Sequence, residues 1–199
     1  MLSLTPSADP TFSARQILDL LERHRGRSPS LDEELRHCQA LHEAMLEQSQ
    51  RAEGALAAWQ AALARRWSCE VAAQRAYRTV QSRLEGQSGD APYGPLVAPA
   101  QPGAASTPRA LLAEVRRLEA ALELVVPRPP FADEATARLR AVGDDLAAAI
   151  AQTDSCEAQR RSVVSEQRVV ASLLERSHQR ARQLLARDGS APPPGDAPA

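Results

Sequence analysis

Lysine is absent from this chain, so all 24 cationic side chains are arginine. A GC-rich coding sequence accounts for that bias, and nothing else in the chain points to an escape from lysine modification. Aromatic residues are equally scarce, at 3% against 43% hydrophobic overall, because alanine supplies much of the apolar count. Such a chain lines helix seams but is poorly supplied for a thick globular core. No run of about 18 apolar residues exists, which excludes a membrane-spanning helix from the expectation. The first ten residues lack the basic-then-apolar pattern of a signal peptide. Cys38, Cys69 and Cys156 have neither a zinc-knuckle spacing nor the density of a disulfide framework. These features are those of a soluble intracellular chain, cytoplasmic or nuclear, with reduced thiols. The net charge of −1 gives no strongly basic or acidic field to attract nucleic acid or a membrane surface.

What the chain does have is helical periodicity. Ser13-Ala14-Arg15-Gln16 forms a capping box, with Phe12 and Ile17 as a hydrophobic staple, and Gly26 closes a first helix over 13–25. Ser28-Pro29-Ser30 opens a second helix over 30–85, with Asp32, Glu33 and Glu34 at its positive end. A heptad threads it through Leu31, Leu35, Cys38, His42, Met45, Ser49, Ala52, Leu56, Trp59, Leu63, Arg66, Glu70, Ala73, Tyr77, Val80 and Leu84. Gly54 is a weak point or a site of close contact within it. Residues 86–106 read as a flexible Pro/Gly/Ala linker, in which Tyr93 and Leu96 do not make an element.

Thr107-Pro108 starts a third helix over 107–126, with Leu111, Val115, Leu118, Leu122 and Val125 on one face. Pro127, Pro129 and Pro130 end it and launch a fourth helix over 130–187. That helix threads through Leu139, Val142, Leu146, Ala149, Thr153, Cys156, Arg160, Val163, Gln167, Val170, Leu174, Ser177, Ala181 and Leu184, with Gly143 near its start. Residues 1–12 and 188–199 read as disordered ends. The plan is therefore all-α: an elongated bundle or coiled coil of two short-plus-long units, 13–85 and 107–187. The linker is long enough for the long helices to run parallel or antiparallel. Both long helices carry Ser-Cys-Glu, at 68–70 and 155–157, a match too short to establish duplication.

Chemical motifs are few. Glu34…His37 and Glu175…His178 repeat the Glu-x-x-His motif that di-iron carboxylate bundles use on two helices. The heptad puts all four at flanking or outer positions, so solvated charged faces are expected there and no metal or other cofactor. Cys38 and His42 share a face but supply two ligands where zinc wants four. Asp144-Asp145 and Asp32-Glu33-Glu34 point different ways around a helix and form no carboxylate dyad. The chain holds no nucleophile elbow and no phosphate-cradling glycine loop. The doublets Arg65-Arg66, Arg116-Arg117 and Arg160-Arg161 have acids nearby, with Trp67 the one aromatic neighbour, so no nucleic-acid stripe is expected.

Coverage decides the functional expectation. At about 1.5 Å per residue the long helices run roughly 80 Å, while the first and third run about 18 and 28 Å. Each short helix covers only part of a seam. Leu56, Trp59, Leu63, Val163, Val170 and Leu174 are then expected to stay partly exposed as a partner-binding seam. The expectation is a non-enzymatic coiled-coil scaffold subunit, bound to other helical proteins or to itself, with no small-molecule substrate. By analogy alone, cytoskeletal, centrosomal or chromosome-attachment assemblies house such chains. A homodimeric adaptor or stalk and a di-metal helical oxidoreductase are the two rivals.

Overall fold

The computed structural model describes residues 10–87, Tyr93, Leu96 and 107–187, with side chains from Arg15 onward. Among these the fold is all-helical, with α1 at Pro10–Arg23, α2 at Pro29–Gly86, α3 at Pro108–Leu124 and α4 at Ala132–Arg187. No strand occurs among the described residues. α1 begins at Pro10, so residues 10–12 of the expected disordered start are helical and Ser13 lies inside the helix. The side chains of the capping box and staple, most of the expected linker and the tail from 188 lie outside what is described.

Local chemistry explains the remaining ends. Gly26 takes φ +80, a conformation only glycine adopts without strain, and ends the turn after α1. Its amide donates to Asp32 Oδ1 at 2.8 Å, tying the turn to the start of α2. Thr107 caps α3, its hydroxyl accepting from the Ala110 amide at 3.2 Å, with Pro108 in the first helical position.

The helices pack into two compact units that cut across the sequence halves. Unit 1 takes α1, α2 as far as Ala55 and α4 from Arg160; unit 2 takes α2 from Leu56, all of α3 and α4 as far as Gln159. This division by packing differs from the division along the sequence into 13–85 and 107–187. The reason is packing, because a short helix and the long helix after it leave an apolar arc that only a third helix can close. In unit 1 the core joins Ile17 and Leu21, Leu31, Leu35 and Cys38, and Ala181 and Leu185. In unit 2 it joins Ala73, Ala76, Val80 and Leu84, Leu111 to Leu122, and Leu139 and Leu146. Within each unit α2 and α4 run antiparallel. Cys38 faces Ser177 and Ser49 faces Gln167 in unit 1, while Ala62 faces Thr153 and Arg83 faces Glu134 in unit 2.

α4 follows its expected seam closely, since every position threaded above is buried or half-buried. α2 does so except over its middle stretch. Between Ala52 and Ala73 the buried positions are Ala55 and Ala62, not Leu56 and Leu63, and Ala76 is buried more deeply than Tyr77, whereas Ala73, Val80 and Leu84 of the expected seam are buried in place. Over that middle stretch the seam has moved by one residue. Small alanines let helices approach closely, and Thr153 donates to the Ala62 carbonyl at 3.3 Å across that contact. The larger Leu56 is left 41% exposed.

Tyr93 is a second departure from expectation. It is buried in the unit 2 core, its hydroxyl donates to the Pro127 carbonyl at 3.0 Å, and Leu96 packs beside it. Those two residues, which composition read as making no element, are therefore packed on the unit 2 core.

Candidate functional site

A buried polar cluster lies in unit 1. A helix in a three-helix bundle buries a broad stripe, so positions flanking a heptad seam are drawn inward. On α2 this adds Glu34 to Leu31, Leu35 and Cys38; on α4 it adds His178 to Leu174, Ser177 and Ala181. Glu34 is only 2% exposed, which corrects its expected outer position, as it does that of His178. The Ser177 hydroxyl donates to Glu34 Oε1 at 2.6 Å and lies 3.0 Å from Cys38 Sγ. Arg180, largely exposed, reaches Glu34 Oε2 through Nε at 3.1 Å.

This arrangement does not activate a nucleophile. Burial pushes the Cys38 thiol up, the Ser177 hydrogen bond offsets this in part, and the Glu34 charge adds to the rise. A thiol held protonated is a poor nucleophile and a poor metal ligand. The hydroxyl of Ser177 is directed to a carboxylate and not to an imidazole. What the cluster does is register α4 against α2, because a one-residue slip would leave a buried carboxylate and hydroxyl unpaired.

The two Glu-x-x-His motifs are each split between core and surface. Glu34 and His178 are buried, whereas His37 and Glu175 are exposed. Among the described residues no group of three or more His, Cys, Asp or Glu side chains is placed to hold a metal. His42 Nδ1 and His178 Nε2 are buried without hydrogen-bond partners in the structure. Burial pushes the His178 pKa down, the Arg182 and His42 charges push it further down, and Glu175 opposes them.

A pH prediction follows from that shift. The unfolded chain binds a proton at the ordinary histidine value of about 6.5, the folded chain only at lower pH. His178 thus contributes stability above about pH 6.5 that is lost as pH falls through its depressed folded value. Thermal melts should show the midpoint dropping between pH 7.5 and pH 5.5. His178→Phe should flatten that part of the profile, and an unchanged slope would show that this histidine is not the group responsible.

In unit 2 the polar groups form an arginine–carboxylate lattice. Glu119 accepts from Arg116 at 2.8 Å and from Arg140 at 2.7 Å, and Arg140 also reaches Glu123 at 2.7 Å. Burial would raise the Glu119 pKa, but the two guanidiniums outweigh it and hold it below the ordinary value. Arg116 also pairs with Asp144. Gly143 leaves room for that pairing, since a Cβ there would sit 3.2 Å from Arg116 Cζ and press on the guanidinium. Arg117 bonds Glu114 at 3.0 Å, and Arg66 bonds Glu70 at 2.9 Å. Arg66, Arg116 and Arg117 of the arginine doublets are thus engaged with carboxylates.

The expected partner seam divides. Leu174 is buried against Met45, while Trp59, Leu63, Val163 and Val170 are half-buried and Leu56 is exposed. Among the described residues the most exposed aromatic is one the heptad placed outside the seam. Trp67 is 68% exposed, with Val71 exposed one turn further on. Leu56, Leu63, Trp67 and Val71 are spaced by seven, four and four residues, which puts them on one face of α2. That spacing was readable once Ala62 rather than Leu63 is taken as the buried position. In unit 1, Val169 and Leu173 form a smaller exposed pair at the same four-residue spacing. No helix among the described residues is long and apolar enough to cross a membrane.

No protein-family model, curated protein or solved structure gives a significant match to this chain.

Proposed function

We propose that this chain is a non-enzymatic helical scaffold, a subunit that joins a larger assembly through coiled-coil-like contacts of its long helices. One observation carries the reading: a tryptophan stands mostly in solvent within a stripe of leucine and valine on the outer face of α2. A contiguous apolar strip of this kind on a soluble chain marks an interaction surface. Tryptophan is enriched among the residues that dominate such interfaces. The polar chemistry supports the same reading, since the buried Glu34–Ser177–Cys38 cluster and the Glu119 lattice hold helices together and present no group to a substrate.

The experiment compares Trp67→Ala/Val71→Ala with the parent chain. Both side chains are exposed, so the isolated variant should keep its melting behaviour within about 0.5 kcal/mol. In the cells that make the protein, the variant should fall out of the particle the parent enters. A variant that keeps its fold and still enters the particle as the parent does would contradict the proposal.

A further inference from the structure

We infer that the outer face of α2 in unit 2 docks an amphipathic helix of another protein, one whose apolar stripe ends in acidic residues. This rests on the scaffold reading above and names the partner's chemistry. Leu56, Leu63, Trp67 and Val71 supply the apolar part of the face, and Trp67 and Val71 are among its exposed members. The stripe then changes character. From Val71 onward it continues into a shallow groove along α2 lined by Arg75 and Arg78 together with Gln74, Thr79 and Ser82.

The charge of that groove selects the occupant. Its neighbour Arg83 is engaged with Glu134 at 3.3 Å and lies over the Phe131 ring. Arg75 and Arg78 form no ion pair among the described residues. Two uncompensated guanidiniums at one end of an apolar stripe favour carboxylates on the partner and disfavour cations. A helix laid in such a groove is read by anchors spaced three, four and seven residues apart, which is the spacing the stripe itself offers. A second copy docked in parallel would set Arg75 and Arg78 against the same arginines. A single nucleic acid strand would use the arginines and Trp67 but leave Leu56, Leu63 and Val71 without a role.

The test uses the full chain and two synthetic helical peptides of about 21 residues, six turns. Both carry leucines at i, i+4, i+7 and i+11; one has glutamates in a terminal turn, the other lysines at the same positions, each made with that turn at either end. Binding is read by titration calorimetry and by the blue shift of Trp67 emission in a Trp59→Phe background. The glutamate peptide should bind at least tenfold more tightly, and the preference should shrink in high salt. Trp67→Ala should weaken it more than tenfold, and Arg75→Glu with Arg78→Glu should reverse the preference toward lysine. Equal binding of the two peptides would overturn the acidic partner. So would tighter binding of oligo-dT, or self-association lost in Trp67→Ala. Equal binding and self-association would leave the face an interface. Binding of neither peptide, together with an unchanged native particle in the Trp67 variant, would remove the scaffold reading as well.

Discussion

Replacing Glu34 with alanine is expected to destabilise the chain by about 2–4 kcal/mol, a large effect for a charged residue on a helix. The expectation comes from what the carboxylate does in unit 1. It accepts from the Ser177 hydroxyl at 2.6 Å and meets Arg180 at 3.1 Å while almost wholly removed from water. Alanine leaves a cavity and takes away the strong acceptor of the buried Ser177 hydroxyl, which keeps only its weaker bond with the Cys38 thiol. Removing Arg180 should cost less, about 1–3 kcal/mol, since that side chain is itself 67% exposed but its loss leaves the buried Glu34 carboxylate without its charge partner. Glu34→Leu combined with Ser177→Ala should recover most of the loss, because buried polar pairs are often replaceable by apolar ones of similar volume. Chemical denaturation of the four proteins checks the set. A Glu34→Ala cost under about 0.5 kcal/mol would show that the cluster is solvated and does not hold the register.

The second large effect is expected in unit 2, where Leu139→Ala should cost about 2–5 kcal/mol. Leu139 is fully buried among Val115, Leu118 and Leu122 of α3 and the Val80–Leu84 end of α2. Three helices converge there, so the surroundings have little freedom to collapse into the space. The contrast lies on α2. Leu56→Ala should change stability by under about 0.5 kcal/mol because the side chain is already exposed. Ala62→Leu should cost about 1–3 kcal/mol by overpacking the contact with Thr153. The register read from the heptad alone would give the reverse order, with the leucine positions sensitive and Ala62 silent. Denaturant midpoints of these variants decide between the two registers.

Residues with strong local chemistry were the legible ones. Gly26 and Thr107-Pro108 marked helix ends correctly because each answers to a backbone requirement that tertiary packing does not change. The seam of α4 was legible because its leucines and valines recur without a competing apolar frame. On α2 two frames compete, Ala55-Ala62-Ala76 and Leu56-Leu63-Tyr77. Hydropathy favours the second, while close helix approach favours the first, and approach is a property of the partner helices. Glu34 and His178 were misplaced for a related reason: a two-helix seam leaves flanking positions in water, and a three-helix bundle buries them. The antiparallel course of α2 and α4 within each unit was not legible at all, because the connecting segment is long enough for either direction. Trp67 was overlooked as a candidate because the heptad register assigned its neighbours Arg66 and Glu70 to the seam, although those two pair with each other.

In the scaffold reading the exposed face of α2 is covered in the working protein. The most direct measurement is the molecular mass of the native particle, by sedimentation or light scattering, set beside that of the purified chain alone. The native particle should exceed the isolated chain by at least the mass of one other protein, and Trp67→Ala/Val71→Ala should return it toward the mass of the single chain. A native particle with the mass of one chain, unchanged by that variant, would contradict the account.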